Sequence, residues 1–168
     1  MKTQANSTKA WGFLIRFSIF VLLSYALLAI PAVDRLLYFV LMVTASASAP
    51  LITLLGYPCS VDGVILRSSE FSVAVRRGCD GVEPTLVLWS AMLALRAPLI
   101  PTLSGLLASA MLIQLLNFLR VISLFVIGVR WPSAFHVMHV EVWPVFLIII
   151  GMAFFIPWMN WSLRYHVR

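Results

Sequence analysis

Trp11 to Ala32 is a nearly unbroken apolar run, and further apolar stretches follow it to the end of the chain. A helix needs roughly 20 such residues to cross a bilayer. In the hydrocarbon every backbone polar group must be satisfied internally, so repeated runs of this length restrict the chain to membrane-embedded helices. Of the 168 residues, 62% are hydrophobic and only 11% charged, which sets the chain apart from soluble domains. The reading is one domain, an all-α polytopic membrane protein. The formal charge of +6 would suggest nucleic acid in a soluble chain. Here Lys2, Lys9, Arg16, Arg96, Arg164 and Arg168 flank apolar segments, where basic residues set orientation. No basic patch interleaved with aromatics is present to follow a nucleic-acid backbone, so membrane lipids are expected as partners and nucleic acid is not.

Punctuation divides the chain. Residues 1–10 are polar and are expected to be a disordered tail. The first helix should end at Pro31, and Pro31-Ala32-Val33-Asp34-Arg35 matches a signal-peptide cut site poorly, so this run reads as a retained anchor. The stretch from Leu36 to Gly56 is interrupted by Thr44-Ala45-Ser46-Ala47-Ser48-Ala49-Pro50. It would either cross the membrane or lie in it as a broken or interfacial helix. Over 57–78, Asp62-Gly63 signals a turn and Phe71-Ser72-Val73-Ala74-Val75 alternates apolar and polar, which predicts a small β-hairpin leading into Cys79. Helices are then expected over about Asp80–Leu95, opened by an Asp80/Glu83 capping box with Pro84 in its first turn, over Leu99–Val129, and from Ser133 to Trp161.

Orientation follows from the ends. A cytoplasmic basic C-terminus places residues 131–140 outside, Arg96 inside and Cys79 outside. A cytoplasmic basic N-terminus then requires an even number of spans. Four full spans with 36–56 not crossing are favoured over five.

The chemistry concentrates in one polar island, Arg76-Arg77-Gly78-Cys79-Asp80-Gly81-Val82-Glu83. The thiolate is the reactive form of cysteine, and positive charge or a helix N-terminus favours it. Cys79 and Cys59 are too few for a disulfide scaffold or zinc site, although one bridge between them, or a buried inert thiol, is an alternative. Gln114, Asn117, Arg120 and Ser123 recur every three residues and form one polar stripe on the long helix. An arginine among apolar neighbours in a bilayer costs about 3 kcal/mol even on the gentler scale, so it is usually partnered. His136 and His139 share a helix face, with Glu141 nearby and Trp143 one turn beyond His139. An imidazole is the standard partner of a thiolate and the proton donor to a leaving amine.

Three blocks carry a family resemblance: Gly78-Cys79-Asp80-Gly81-Val82-Glu83, Asn117-Phe118-Leu119-Arg120-Val121-Ile122-Ser123-Leu124-Phe125, and Phe135-His136-Val137-Met138-His139-Val140-Glu141-Val142-Trp143. In order and spacing they resemble the signature blocks of exosortases, multi-span membrane transpeptidases, and look most like the exosortase H branch. The resemblance runs from about residue 11 to 161. It implies one integral membrane domain over 1–168, with 1–10 cytoplasmic, four to five membrane-embedded helices, and 57–83 extracytoplasmic, holding the hairpin and the cysteine motif. It implies Cys79 as nucleophile, Arg120 as the family's arginine and His139 as general acid/base. Asn117, Glu83, His136, Trp143 and Arg77 are the supporting or substrate-binding candidates. Family members often carry an acidic residue where this chain has His136, and asparagine where it has Asp80.

The implied partners are exported proteins bearing a C-terminal sorting signal: an IPTL-type motif, a hydrophobic helix and a basic tail. That helix would pack on small residues such as Gly105, Ala108 and Ser109. The chain's own Ile100-Pro101-Thr102-Leu103 falls between two helices on the cytoplasmic side and is read as coincidence. The implied place is the inner membrane, with the site facing outward and neither metal nor cofactor required. Two other readings remain at this point. A membrane assembly or transport factor would use Arg120 and His139 as a structural pair and tolerate Cys79→Ser. A metal or redox carrier would use Cys79, His136 and His139.

Overall fold

The computed structural model describes residues 2–165, with side chains from residue 10 onward; His166 and Arg168 of the expected basic tail lie outside the described residues. The elements are α1 (Lys2–Leu28), α2 (Pro31–Leu54), β1 (Ser60–Asp62), β2 (Ile65–Arg67), β3 (Ser72–Ala74), α3 (Val82–Ala94), α4 (Leu99–Arg130), α5 (Pro132–Val137), a π-helical turn (Met138–Val142) and α6 (Trp143–Tyr165). The all-α polytopic reading holds: four helical stretches, Ala10–Leu28, Pro31–Leu54, Leu99–Arg130 and Pro132–Tyr165, are long and apolar enough to cross a membrane. The backbone is helical from Lys2. No proline or glycine interrupts those residues.

α4 and α6 form the frame. At one end the Trp158 indole donates to the Pro101 carbonyl at 2.8 Å. At the other, Arg120 Nη2 donates to the His139 carbonyl at 3.2 Å. The two rungs are equally far apart in sequence on each helix, from 101 to 120 and from 139 to 158, so at 1.5 Å per residue they stand about 28 Å apart. That matches the roughly 30 Å thickness of the hydrocarbon. α4 continues past the Arg120 rung to Arg130.

α3 packs among α1, α4 and α6. Leu88, Met92, Ile113 and Trp158 are buried together, and Trp89 Nε1 donates to the Leu106 carbonyl at 3.0 Å and to Ser109 Oγ at 3.2 Å. α3 is shorter at both ends than the expected Asp80–Leu95 helix. Its 13 residues make about 20 Å of helix, shorter than the hydrocarbon is thick. The small residues expected to receive a substrate helix serve internal packing. Ser109 is buried beneath Trp89, and the Trp158 indole covers Gly105, leaving Ala108 as the exposed one.

α2 qualifies as a span by length and composition, yet both of its ends are held on the Arg120 side. Asp34, in its first turn, pairs with Arg77 at 2.9 Å. Just past its last turn, the Tyr57 hydroxyl accepts a hydrogen bond from Arg130 at the end of α4. Leu41, Ala45, Ala49 and Ile52, spaced along one face, pack with Leu66, Val75, Val121, Ile122 and Phe125. The interruption at 44–50 does not break the helix: Thr44 and Ser48 turn their hydroxyls back onto the carbonyls four residues earlier. Under this cover sits the sheet, antiparallel in the order β1-β2-β3. The expected hairpin is thus one strand short. Ser60–Asp62 pairs with β2 across the Asp62-Gly63 turn, where Gly63 has φ +62°.

Two chains test the placement of α2, one with Cys59 as its sole cysteine and one with Asp34→Cys as its sole cysteine. In oriented vesicles a membrane-impermeant maleimide should label both from the same face. Labelling from opposite faces would make α2 a span.

Candidate active site

The loop before α3 turns twice. Cys79 N–H donates to the Arg76 carbonyl at 2.9 Å, closing a tight turn, and Asp80 Oδ1 then accepts from Val82 N–H at 3.1 Å. Between them Gly81 sits at φ +72°, pressed so closely on Gln114 and Asn117 of α4 that a side chain there would collide with both. The expected capping box is absent. Gly81 rather than Asp80 caps α3, and no side chain bonds to the cap. Glu83 is exposed in the first turn, where its charge suits the helix N-terminus.

Across the loop, His139 lies in the π-helical turn. Such turns widen the helix and recur at functional sites. Its Nε2 is 2.8 Å from Cys79 Sγ. The imidazole stacks on Phe135 at 5.7 Å between centroids, and Phe71 packs edge-on against both Phe135 and Phe125. Gly128 lets Phe71 lie flat on α4, since any side chain there would run into its ring. Phe71 and Phe135 were not singled out from the sequence. Aromatic residues are everywhere in this chain, and only their contact with the imidazole distinguishes these two.

Arg120 joins the two segments. It is buried, 5% exposed, and donates from Nη1 to the Gly78 carbonyl at 3.3 Å and from Nη2 to the His139 carbonyl at 3.2 Å. Its Nε–H has no partner. Asn117, one turn below, is 1% exposed with both side-chain polar atoms unpartnered.

The other candidates lie off this core. Arg77 pairs with Asp34 and donates to the Leu28 carbonyl at 3.1 Å, which ties the cysteine loop to the α1–α2 junction. Arg76 and His136 are exposed. Trp143 packs edge-on against Phe146 rather than on the thiol. Cys59 and Cys79 are both free, so the disulfide alternative falls. Among the described residues no group of three or more His, Cys, Asp or Glu side chains is placed to hold a metal ion, which leaves the metal-carrier reading without a ligand set.

One expectation about the thiol is reversed. Cys79 precedes the helix cap by two residues, and Arg76 and Arg77 face outward. Burial is the main influence and pushes the Cys79 thiol up; Arg120 pulls it down and Asp80 adds to the rise. Alone, the group is a neutral thiol at pH 7, and its ionisation depends on a base within reach.

The thiol, imidazole and guanidinium line one cleft of about 410 Å³ with Ser72–Arg77, Val121, Leu124 and Phe135. Residues 7–156 match the family model for transmembrane exosortases. The chain belongs to the transmembrane exosortase family. No curated protein and no solved structure matches it. In this exosortase the three motif blocks come together in one place: the cysteine block on the loop, the arginine block on α4 and the histidine block on the π turn.

Alkylation of Cys79 by iodoacetamide should speed up with rising pH, with a midpoint above the ordinary thiol range. Asp80→Asn keeps the acceptor for Val82 N–H and removes the charge, so it should lower that midpoint. An unchanged midpoint would show that Asp80 does not act on the thiol.

Proposed function

We propose that this exosortase is a cysteine transpeptidase that cleaves C-terminal sorting signals of exported proteins at the outer face of the inner membrane. The observation that carries the reading is the 2.8 Å contact between Cys79 Sγ and His139 Nε2 inside a cleft open to a peptide. A thiol and an imidazole at hydrogen-bond distance form the nucleophile–base pair of covalent acyl transfer.

The steps follow from the geometry. His139 Nε2 takes the Cys79 proton as sulfur attacks the scissile carbonyl carbon. Arg120, on the same cleft, supplies positive charge for the oxyanion. His139 returns the proton to the departing amine nitrogen, the C–N bond breaks and a thioester remains on Cys79. An acceptor nucleophile then attacks the thioester carbon, its proton passing through His139, and the thiolate leaves. No cofactor takes part. An IPTL-type motif followed by a hydrophobic helix and a basic tail fits a cleft that lies about 28 Å along α4 from the Trp158–Pro101 contact, close to the length of a helix that crosses the hydrocarbon.

Wild type and Cys79→Ala, expressed beside a reporter with an IPTL-type motif, helix and basic tail, should differ completely. The reporter is shortened on an immunoblot by the first and left intact by the second at equal membrane levels. Cleavage that survives the substitution would remove Cys79 as nucleophile. Arg120→Lys keeps the charge but not the two-carbonyl geometry, and should slow cleavage by about 100-fold, the scale of losing one oxyanion donor; a rate within twofold of wild type would show that charge alone suffices.

A further inference from the structure

The cleft is lined by six consecutive residues, Ser72 to Arg77. A strand that shows a groove its face contributes every second residue, whereas a strand that shows its edge contributes a continuous run. β3 is an edge strand, last in the order β1-β2-β3. Its register fixes which groups are free. Leu66 pairs with Val73, Val75 N–H donates to the Val64 carbonyl at 2.8 Å, and Ser68 N–H donates to the Phe71 carbonyl at 2.8 Å. In an antiparallel ladder hydrogen-bonded and non-hydrogen-bonded pairs alternate. Phe71, Val73 and Val75 therefore point their polar backbone groups at β2, while Ser72 and Ala74 point theirs the other way, toward no strand.

An unpaired edge is a template for another extended chain. This one ends five residues before Cys79, and the tight turn at Arg76–Cys79 folds the thiol beside it. Val121, Leu124 and Phe135 give the cleft apolar walls for side chains of a bound strand.

We propose that substrate binds by β-augmentation: an extended peptide segment adjoining the scissile bond pairs with the free edge of β3 through the backbone groups of Ser72 and Ala74, which carries its carbonyl to Cys79 Sγ. The inference rests on Cys79 as the nucleophile proposed above. Main-chain pairing of this kind supplies affinity, and pockets for alternate side chains supply selectivity. The hydrophobic helix of a sorting signal would then be the second handle, the strand-like motif the first.

The test uses the full-length protein carrying Cys59→Ser in detergent, so that intact mass reads Cys79 labelling alone, independent of turnover. The probe is Ala-Val-Ala-Val-Ala chloromethyl ketone, with chloroacetone as the reference that has no backbone to pair. The peptide should label Cys79 faster than chloroacetone. N-methylation at successive positions should reduce the advantage at every second residue by ~3- to 10-fold, the scale of one net hydrogen bond, and leave the residues between little changed. Ala74→Pro removes one edge donor without touching the ladder to β2, and should lower the ratio of peptide to chloroacetone rates. Taking that ratio divides out any general change in thiol reactivity. A peptide no faster than chloroacetone, or losses without alternation, would overturn edge pairing. Those outcomes leave cysteine catalysis standing if the sorting reporter is cut only when Cys79 is present; a reporter cut by Cys79→Ala would instead remove the nucleophile and this inference with it.

Discussion

The site depends on one buried guanidinium. Arg120 bonds through two nitrogens to the backbone carbonyls of Gly78 and His139, so it holds the cysteine loop and the π turn at a fixed separation. Side-chain contacts alone would leave both segments free to shift. A charged donor to a neutral carbonyl is worth more than an ordinary hydrogen bond, and leaving a buried charge unpaired is costly. Arg120 thus helps to bring Cys79 and His139 within 2.8 Å before any substrate arrives. A purely structural role would also use such a clamp. What that role does not explain is the imidazole aimed at a thiol on the wall of an open cleft.

The same clamp also lowers the cost of the charge. A charge at mid-bilayer is expensive, whereas one at the boundary can be partnered by loop backbone. Arg120 is partnered by the backbone carbonyls of Gly78 and His139, and the last turns of α4 run on beyond it. Those turns need cover, and α2 and the small sheet supply it through Leu41, Ala45, Ile52 and Leu66, packed with Phe125 of α4. The sheet in turn presents β3 to the cleft. Arg77 closes the arrangement from the other side by pairing with Asp34.

Much of this was legible in the sequence. Residue periodicity placed Arg120 above Asn117 on one helix face, and the spacing of apolar runs gave the bundle. The three motif blocks named Cys79, Arg120 and His139. The rest depended on contacts between distant segments. Nothing local distinguishes Phe135 from other aromatic residues until it stacks on His139. The thiol's raised pKa was missed because Arg76 and Arg77 lie near it in sequence but are exposed, while burial, which only the fold creates, is the main influence. Asp80 and Glu83 have capping-box spacing, yet Gly81 takes the cap because its left-handed backbone is what lets the loop press on Asn117. The third strand escaped because Ser60–Asp62 holds a single apolar residue, Val61, and only its pairing with β2 marks it as a strand.

The central claim is that Arg120 holds Cys79 and His139 together for covalent acyl transfer, and its most direct measurement is the intermediate itself. Purified protein would be mixed with a synthetic peptide carrying the sorting motif, quenched in acid within the first turnover, and weighed intact. Wild type should gain the mass of the fragment on the amino side of the cut, attached to Cys79 and removed by hydroxylamine, and Arg120→Lys should show far less of it. Peptide cleaved with no adduct on Cys79, or an adduct undiminished in Arg120→Lys, would contradict the account.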